Sequence, residues 1–270
     1  MQLSREDYEE PACVLCKPDE IRPIPVGRAL GKLDEYLEKN DYEAAERHLK
    51  YWIAEAEAAK DLRGKLTLVN ETIGLYRKTE KKGPAFDAIQ TALSLLDILE
   101  LSDTVIMATT YINAATAYRA FGESDEALPL YEKARELYEK LLNADDPRLG
   151  GLYNNMALTV MEKKEFDRAE ELFKRALAVM EKTENGELEC AITWCNLADL
   201  TAARCGMEKG EEEIGGCLEK AMALLNTGTL PRNGYYAFVS EKCAPTFAYY
   251  GYFMDAGELK KRAETIYEGA

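Results

Sequence analysis

The sequence predicts an all-α protein built from stacked helical hairpins. Three observations carry that reading. Apolar residues recur at three- and four-residue spacing along nearly the whole chain, short polar breaks interrupt them, and related segments return at a period of about 42 residues. An apolar content of 47% is enough for a sizeable core.

Taken in order, residues 1–26, with Pro11, Pro18, Pro23 and Pro25, read as a leader outside the repeat. Residues 27–270 read as a repeat array, with hairpins expected near 27–60, 62–100, 103–142, 147–184, 187–227 and 232–268. The third shows the pattern well. Ala127, Leu128, Leu130, Tyr131, Ala134, Leu137, Tyr138 and Leu141 share one broad helical face. The expected stops are Lys39-Asn40-Asp41, Lys81-Lys82-Gly83-Pro84, Phe121-Gly122-Glu123-Ser124 and Asn143-Ala144-Asp145-Asp146-Pro147. Pro245 should kink or shorten the first helix of the sixth hairpin.

The internal repeat is explicit. Tyr111-Ile112-Asn113-Ala114-Ala115 returns 42 residues later as Tyr153-Asn154-Asn155-Met156-Ala157, and 41 residues further on as Trp194-Cys195-Asn196-Leu197-Ala198. Asp125-Glu126-Ala127-Leu128, opening a second helix, returns as Asp167-Arg168-Ala169-Glu170. These motifs resemble the tetratricopeptide repeat, in the long-period form found in kinesin light chains and several bacterial regulators. The resemblance implies an α-α superhelix of about six hairpins that binds proteins or peptides rather than catalysing a reaction. On that pattern small residues (Ala115, Ala127, Ala157, Ala169, Ala198) lie where helices cross closely, and Tyr131, Phe173 and Trp194 fill the space between hairpins. Tyr111, Tyr153 and Trp52 are likewise expected in the packing.

Composition narrows the function classes. Against 34 basic residues stand 49 acidic ones, a formal charge of −15, which disfavours nucleic acid and anionic membranes as partners. No apolar run is long enough to span a bilayer, and the charged first ten residues do not resemble a secretory signal, so a cytoplasmic location is expected. Catalytic groupings are sparse. His48 is the one histidine, and Gly215-Gly216 lies inside a helical pattern rather than in a phosphate-binding loop. His48 is therefore expected to be solvated or to pack within its hairpin.

The candidate binding residues form a row. Asn113, Asn155 and Asn196 hold one register in three successive first helices, with Asn70 a fourth candidate and Lys242 at that place in the sixth repeat. The resemblance implies that first helices line the groove and that this position points into it. An amide donates and accepts at once, so such a row could hold an extended backbone. The competing reading is that these amides tie neighbouring hairpins together. Arg77, Arg119 and Arg204, with Lys163 and Lys164, fall at the loop ends of first helices and would form a basic strip suited to an acidic peptide or a C-terminal carboxylate. As helix ends favour basic residues anyway, solvated termini are the alternative.

Cys13 and Cys16 form a CxxC, half of a zinc site or a redox pair, with Cys190 and Cys195 candidates to complete it. No other cofactor is expected. The aromatic run Phe247, Tyr249, Tyr250, Tyr252 and Phe253 suggests a homodimer contact through the last hairpin, or a cover over the groove's end. A regulatory sensor for a short signalling peptide is the alternative to a general binding scaffold.

Overall fold

The computed structural model describes residues 21–269, which form twelve helices with no strand among the described residues. They divide into two compact units, one ending at Glu100 and one beginning at Leu101. The leader's Cys13 and Cys16 lie outside the described residues.

The first unit holds α1 (Val26–Glu38), α2 (Tyr42–Ala58), α3 (Leu62–Lys78) and α4 (Lys82–Ile98). Ala29 and Leu33 of α1 pack on Ala45 and Leu49 of α2 and on Leu68 and Leu75 of α3. Asp41 and Asp61 cap α2 and α3 by accepting from the backbone N–H groups of Ala44 and Gly64, at 3.0 and 2.9 Å. Each of the four helices ends the same way, on a left-handed residue two places beyond its last turn: Asn40, Lys60, Glu80 and Glu100, with φ of 53°, 57°, 56° and 50°. The stop expected across Lys81–Pro84 therefore falls earlier. Gly83 and Pro84 already belong to the first turn of α4, where a missing N–H breaks no helical bond.

Asp61 does a second job. Its other oxygen accepts from the Ile24 N–H at 3.0 Å, and the Arg22 N–H donates to the Ala59 carbonyl at 3.0 Å. The segment before α1 is thereby fixed to the α2–α3 turn. A side chain at Gly64 would meet the Asp61 carboxylate at 2.4 Å, so the close approach requires glycine there. We expect Asp61→Ala to cost about 2 kcal/mol, from a lost cap and a buried N–H left without its acceptor. A melting temperature unchanged from wild type would refute this.

His48 packs inside the first hairpin. Its Nε2 donates to the Ala29 carbonyl at 2.8 Å, and its ring meets the edges of Tyr36 and Trp52 at 5.6 and 6.4 Å. Trp52 itself is half-buried against this core.

The second unit holds α5 (Val105–Ala120), α6 (Ser124–Leu141), α7 (Pro147–Glu162), α8 (Phe166–Met180), α9 (Glu187–Cys205), α10 (Met207–Leu225), α11 (Gly234–Tyr249) and α12 (Phe253–Glu268). Each odd-numbered helix packs on the even-numbered helix that follows it, and the odd-numbered helices also touch in succession, α5 to α7 to α9 to α11. Ala115, Ala127, Ala157, Ala169 and Ala198 are fully buried, as a close crossing demands. Tyr131, Phe173, Tyr236 and Phe247 are the largest fully buried side chains of this unit.

The expected shortening at Pro245 does not occur. Helix α11 runs 16 residues, through Pro245 to Tyr249. Pro245 and Glu241 both lie on the exposed side, so water can take the carbonyl that the ring leaves without its N–H.

Candidate functional site

In the second unit the odd-numbered helices form one wall, and the amide row lies midway along it. Asn113, Asn155 and Asn196 are all half-buried. Asn196 Nδ2 donates to Asn154 Oδ1 at 3.1 Å, and Thr193 Oγ1 donates to the same oxygen at 3.4 Å. One rung thus ties α9 to α7, through an asparagine that sequence reasoning passed over. Asn154 is itself buried, one place before Asn155. In the first unit Asn70 Nδ2 donates to the Leu66 carbonyl of its own helix at 3.0 Å.

The predicted basic strip is differently engaged. Arg119 Nη1 donates to Glu162 Oε1 at 3.1 Å, across from α5 to α7. The Ser124 hydroxyl donates to the same carboxylate. Lys163 pairs with Asp125 and holds that carboxyl below its ordinary range. Arg204 Nη2 donates to Glu170 Oε2 at 2.7 Å and to the Phe166 carbonyl at 3.2 Å. Arg119, Lys163 and Arg204 therefore bridge neighbouring helices instead of presenting open charge, because each meets an acidic residue on an adjoining helix. Lys164 is exposed in a left-handed turn, and Arg77 is exposed in the last turn of α3.

The aromatic residues beside the row pack as the repeat requires, each beneath a cation from its own hairpin. Lys133 lies 5.7 Å from the Tyr111 ring, Arg175 4.1 Å from Tyr153, and Lys220 4.1 Å from Trp194. Tyr153 is buried and donates to Glu139 Oε1 at 3.0 Å; burial pushes its hydroxyl up to about 12.

Cys190, Cys195, Cys217 and Cys243 are buried in the core of the second unit. Burial pushes the Cys190 thiol up to about 12 and Cys217 to about 11, so neither ionises readily as a nucleophile or ligand. Cys195 is hydrogen-bonded to Cys243, which, with burial, raises it well above its ordinary range. Among the described residues no group of three or more His, Cys, Asp or Glu is arranged to hold a metal ion.

Helix α11 adds Tyr235 and Phe238, which sequence reasoning missed, to Lys242 and Tyr249, which it named. Tyr235, Phe238, Lys242, Pro245 and Tyr249 follow one another at three- and four-residue steps, all exposed. Tyr235 and Phe238 stack at 6.2 Å, and Lys242 Nζ lies 5.8 Å from the Phe238 ring. Beside this stripe a cavity of about 510 Å³ opens between the start of α7, the α8–α9 turn, the first turn of α9 and the start of α11. Pro147, Gly151, Met180, Glu189 and Tyr235 are among its walls. The heptad-like spacing of Tyr235, Phe238 and Lys242 was the available signal. In the terminal hairpin Phe247 is buried, Tyr250 donates to Asp199 Oδ1 at 2.9 Å, and Tyr249, Phe253 and Met254 are exposed.

A wall of parallel helices on a second layer of helices, repeated hairpin by hairpin, defines a helical repeat scaffold. Residues 106–182 match the tetratricopeptide repeat family, and in fold the chain resembles the repeats of kinesin light chain. The putative kinesin light chain repeats of Podosopora anserina are similar over 75% of this chain and 94% of theirs, with 18% identity and a TM-score of 0.54. BtubC (BKLC) from P. vanneervenii is similar over 92% of both chains, with 17% identity and a TM-score of 0.54. A Rap protein solved with competence and sporulation factor is similar over 90% of this chain and 75% of its own, with 15% identity and a TM-score of 0.54. No curated protein matches the sequence. No described helix is long and apolar enough to cross a membrane.

Proposed function

We propose that the chain is a non-catalytic scaffold that binds a segment of another protein along the odd-helix wall of its second unit. The observation that carries this reading is the coincidence, on one wall, of the amide row and the exposed aromatic stripe of α11. Half-buried amides can bond a visiting main chain, while Tyr235 and Phe238 offer flat apolar area of the kind that anchors interfaces. Asn113, Asn155 and Asn196 are the rungs assigned to the ligand, and Asn196 is also tied to Asn154. Arg77, Arg119 and Arg204 pass from candidate ligand contacts to helix-end residues in this reading, and Lys242 stays on the wall.

The fold likeness to the Rap protein, which was solved with a factor bound, favours one narrower version. In it the chain is a sensor for a short signalling peptide. A co-purifying ligand of fewer than about ten residues would select that version over a general scaffold.

The test is affinity purification from the native host, followed by mass spectrometry, of wild type and the double variant Asn113→Ala, Asn155→Ala. We expect the variant to lose its partners by about tenfold or more, the equivalent of about 1.4 kcal/mol, with its melting curve little changed. If every partner is retained, the amide row is not the contact.

A further inference from the structure

The cavity beside α11 has a chemistry of its own. Its walls are apolar along the sides, from Pro147, Gly151 and Met180, and aromatic at Tyr235. Two carboxylates belong to it, Glu189 inside and Glu184 at the turn. The Tyr235 hydroxyl donates to Glu189. The one cation in the lining, Arg148, is already neutralised. Its Nε and Nη2 donate to the two oxygens of Asp146 at 2.9 and 2.7 Å. Lys242, the other basic residue near Glu189, lies over Phe238. The cavity therefore carries net negative charge within apolar walls, on a chain whose formal charge is −15.

We propose that this cavity receives an arginine or lysine side chain from a basic segment of the partner protein. The aliphatic stem would lie along Met180 and Gly151. The cationic head would reach the Glu189 carboxylate and the face of Tyr235, which is 44% exposed. An apolar side chain would fill the same volume but leave Glu189 more deeply desolvated without compensation. An acidic one would be repelled. Burial already holds the Glu189 carboxyl above its ordinary range, with Lys242 alone opposing, so an incoming cation relieves an existing cost. The inference rests on the scaffold reading of this wall and names the chemistry of its partner. It also reverses the acidic ligand expected from the sequence, because Arg119 and Arg204 are paired with Glu162 and Glu170.

The probe is a fluorescently labelled peptide alternating arginine and glycine, with a glutamine–glycine counterpart, followed by anisotropy at about 0.15 M salt. Wild type should bind the arginine peptide and not the glutamine one. Glu189→Gln keeps an acceptor for Tyr235 and should weaken binding at least tenfold. Glu136→Gln, an exposed site on α6, removes the same charge elsewhere and should leave binding unchanged. Gly151→Phe is a second route. No atom lies within 4 Å of a Cβ built there, so the ring would enter open space, block the cavity and abolish binding with both carboxylates intact. Failure of the wild type to bind, equal binding by Glu189→Gln, or equal loss in Glu136→Gln would overturn the proposal. None of these touches the amide row, whose own test is the recovery of native partners by the asparagine double variant.

Discussion

Phe173→Ala is expected to destabilise the second unit by about 4 kcal/mol, the largest single effect the fold predicts. Phe173 is fully buried in α8, in the core shared by α5 to α12. It stands where Tyr131 stands 42 residues earlier, but Tyr131 reaches the Thr116 hydroxyl at 2.9 Å, whereas the phenylalanine has only packing to lose. Alanine would leave a cavity walled by close-packed neighbours that can relax only in part, so the cavity cost adds to the lost transfer energy. For a unit of this size the melting temperature should fall by about 10 °C, and the urea midpoint should drop correspondingly. Phe173→Leu keeps most of the volume and should cost less than half as much. A loss below about 1 kcal/mol for the alanine variant would mean the stacked hairpins do not share one core at this point.

The second large effect comes from a glycine whose backbone is ordinary. Gly186 has φ −68° and ψ −8°, a conformation open to any residue, yet a Cβ there would lie 2.0 Å from the Met180 carbonyl oxygen. The obstacle is backbone, and the turn cannot simply move aside. The Gly186 N–H donates to the Thr183 carbonyl at 3.0 Å, and its own carbonyl accepts from Cys190 at 2.9 Å to begin α9. Gly186→Ala should cost about 3 kcal/mol, at the upper end for overpacking. Gly150→Ala is the matched contrast. Its Cβ would meet the terminal methyl of Met180 at 2.5 Å, the far end of a flexible side chain that can swing away. The gain in helix propensity offsets part of that rearrangement, so the net change should stay within about 1 kcal/mol of wild type. Thermal melts of the pair decide the matter. Equal effects would show that space at the turn, not side-chain flexibility, has been misjudged.

The helices were legible because their determinants are local. Apolar spacing, an aspartate before a helix, and glycine after one act within a turn or two of chain. What remained hidden depends on how one hairpin meets the next. Nothing in the one-dimensional pattern says that Asn196 would choose Asn154 rather than face outward. Nor does it say that Arg119 would find Glu162, 43 residues away. The cavity was hidden for a related reason. It needs the α8–α9 turn, and it needs α11 placed so that Tyr235 reaches Glu189 across 46 residues, a separation longer than the repeat itself. Pro245 misled because the rule against proline in helices assumes that the orphaned carbonyl stays dry.

The left-handed residues that close the helices of the first unit leave it with slack. In the second unit Gly122 and Gly251 take the equivalent position, with φ of 80° and 87°, at no steric cost, and among the described residues only α7 closes on a residue with a Cβ there, Lys164. Lys60, Glu80 and Glu100 adopt the same sense of twist with a Cβ in the way, a burden of about 1 kcal/mol apiece. The first four helices are thus held closed by the packing between them, against the grain of their own corners. Their durability could be raised by rewriting Lys60, Glu80 and Glu100 alone as glycine.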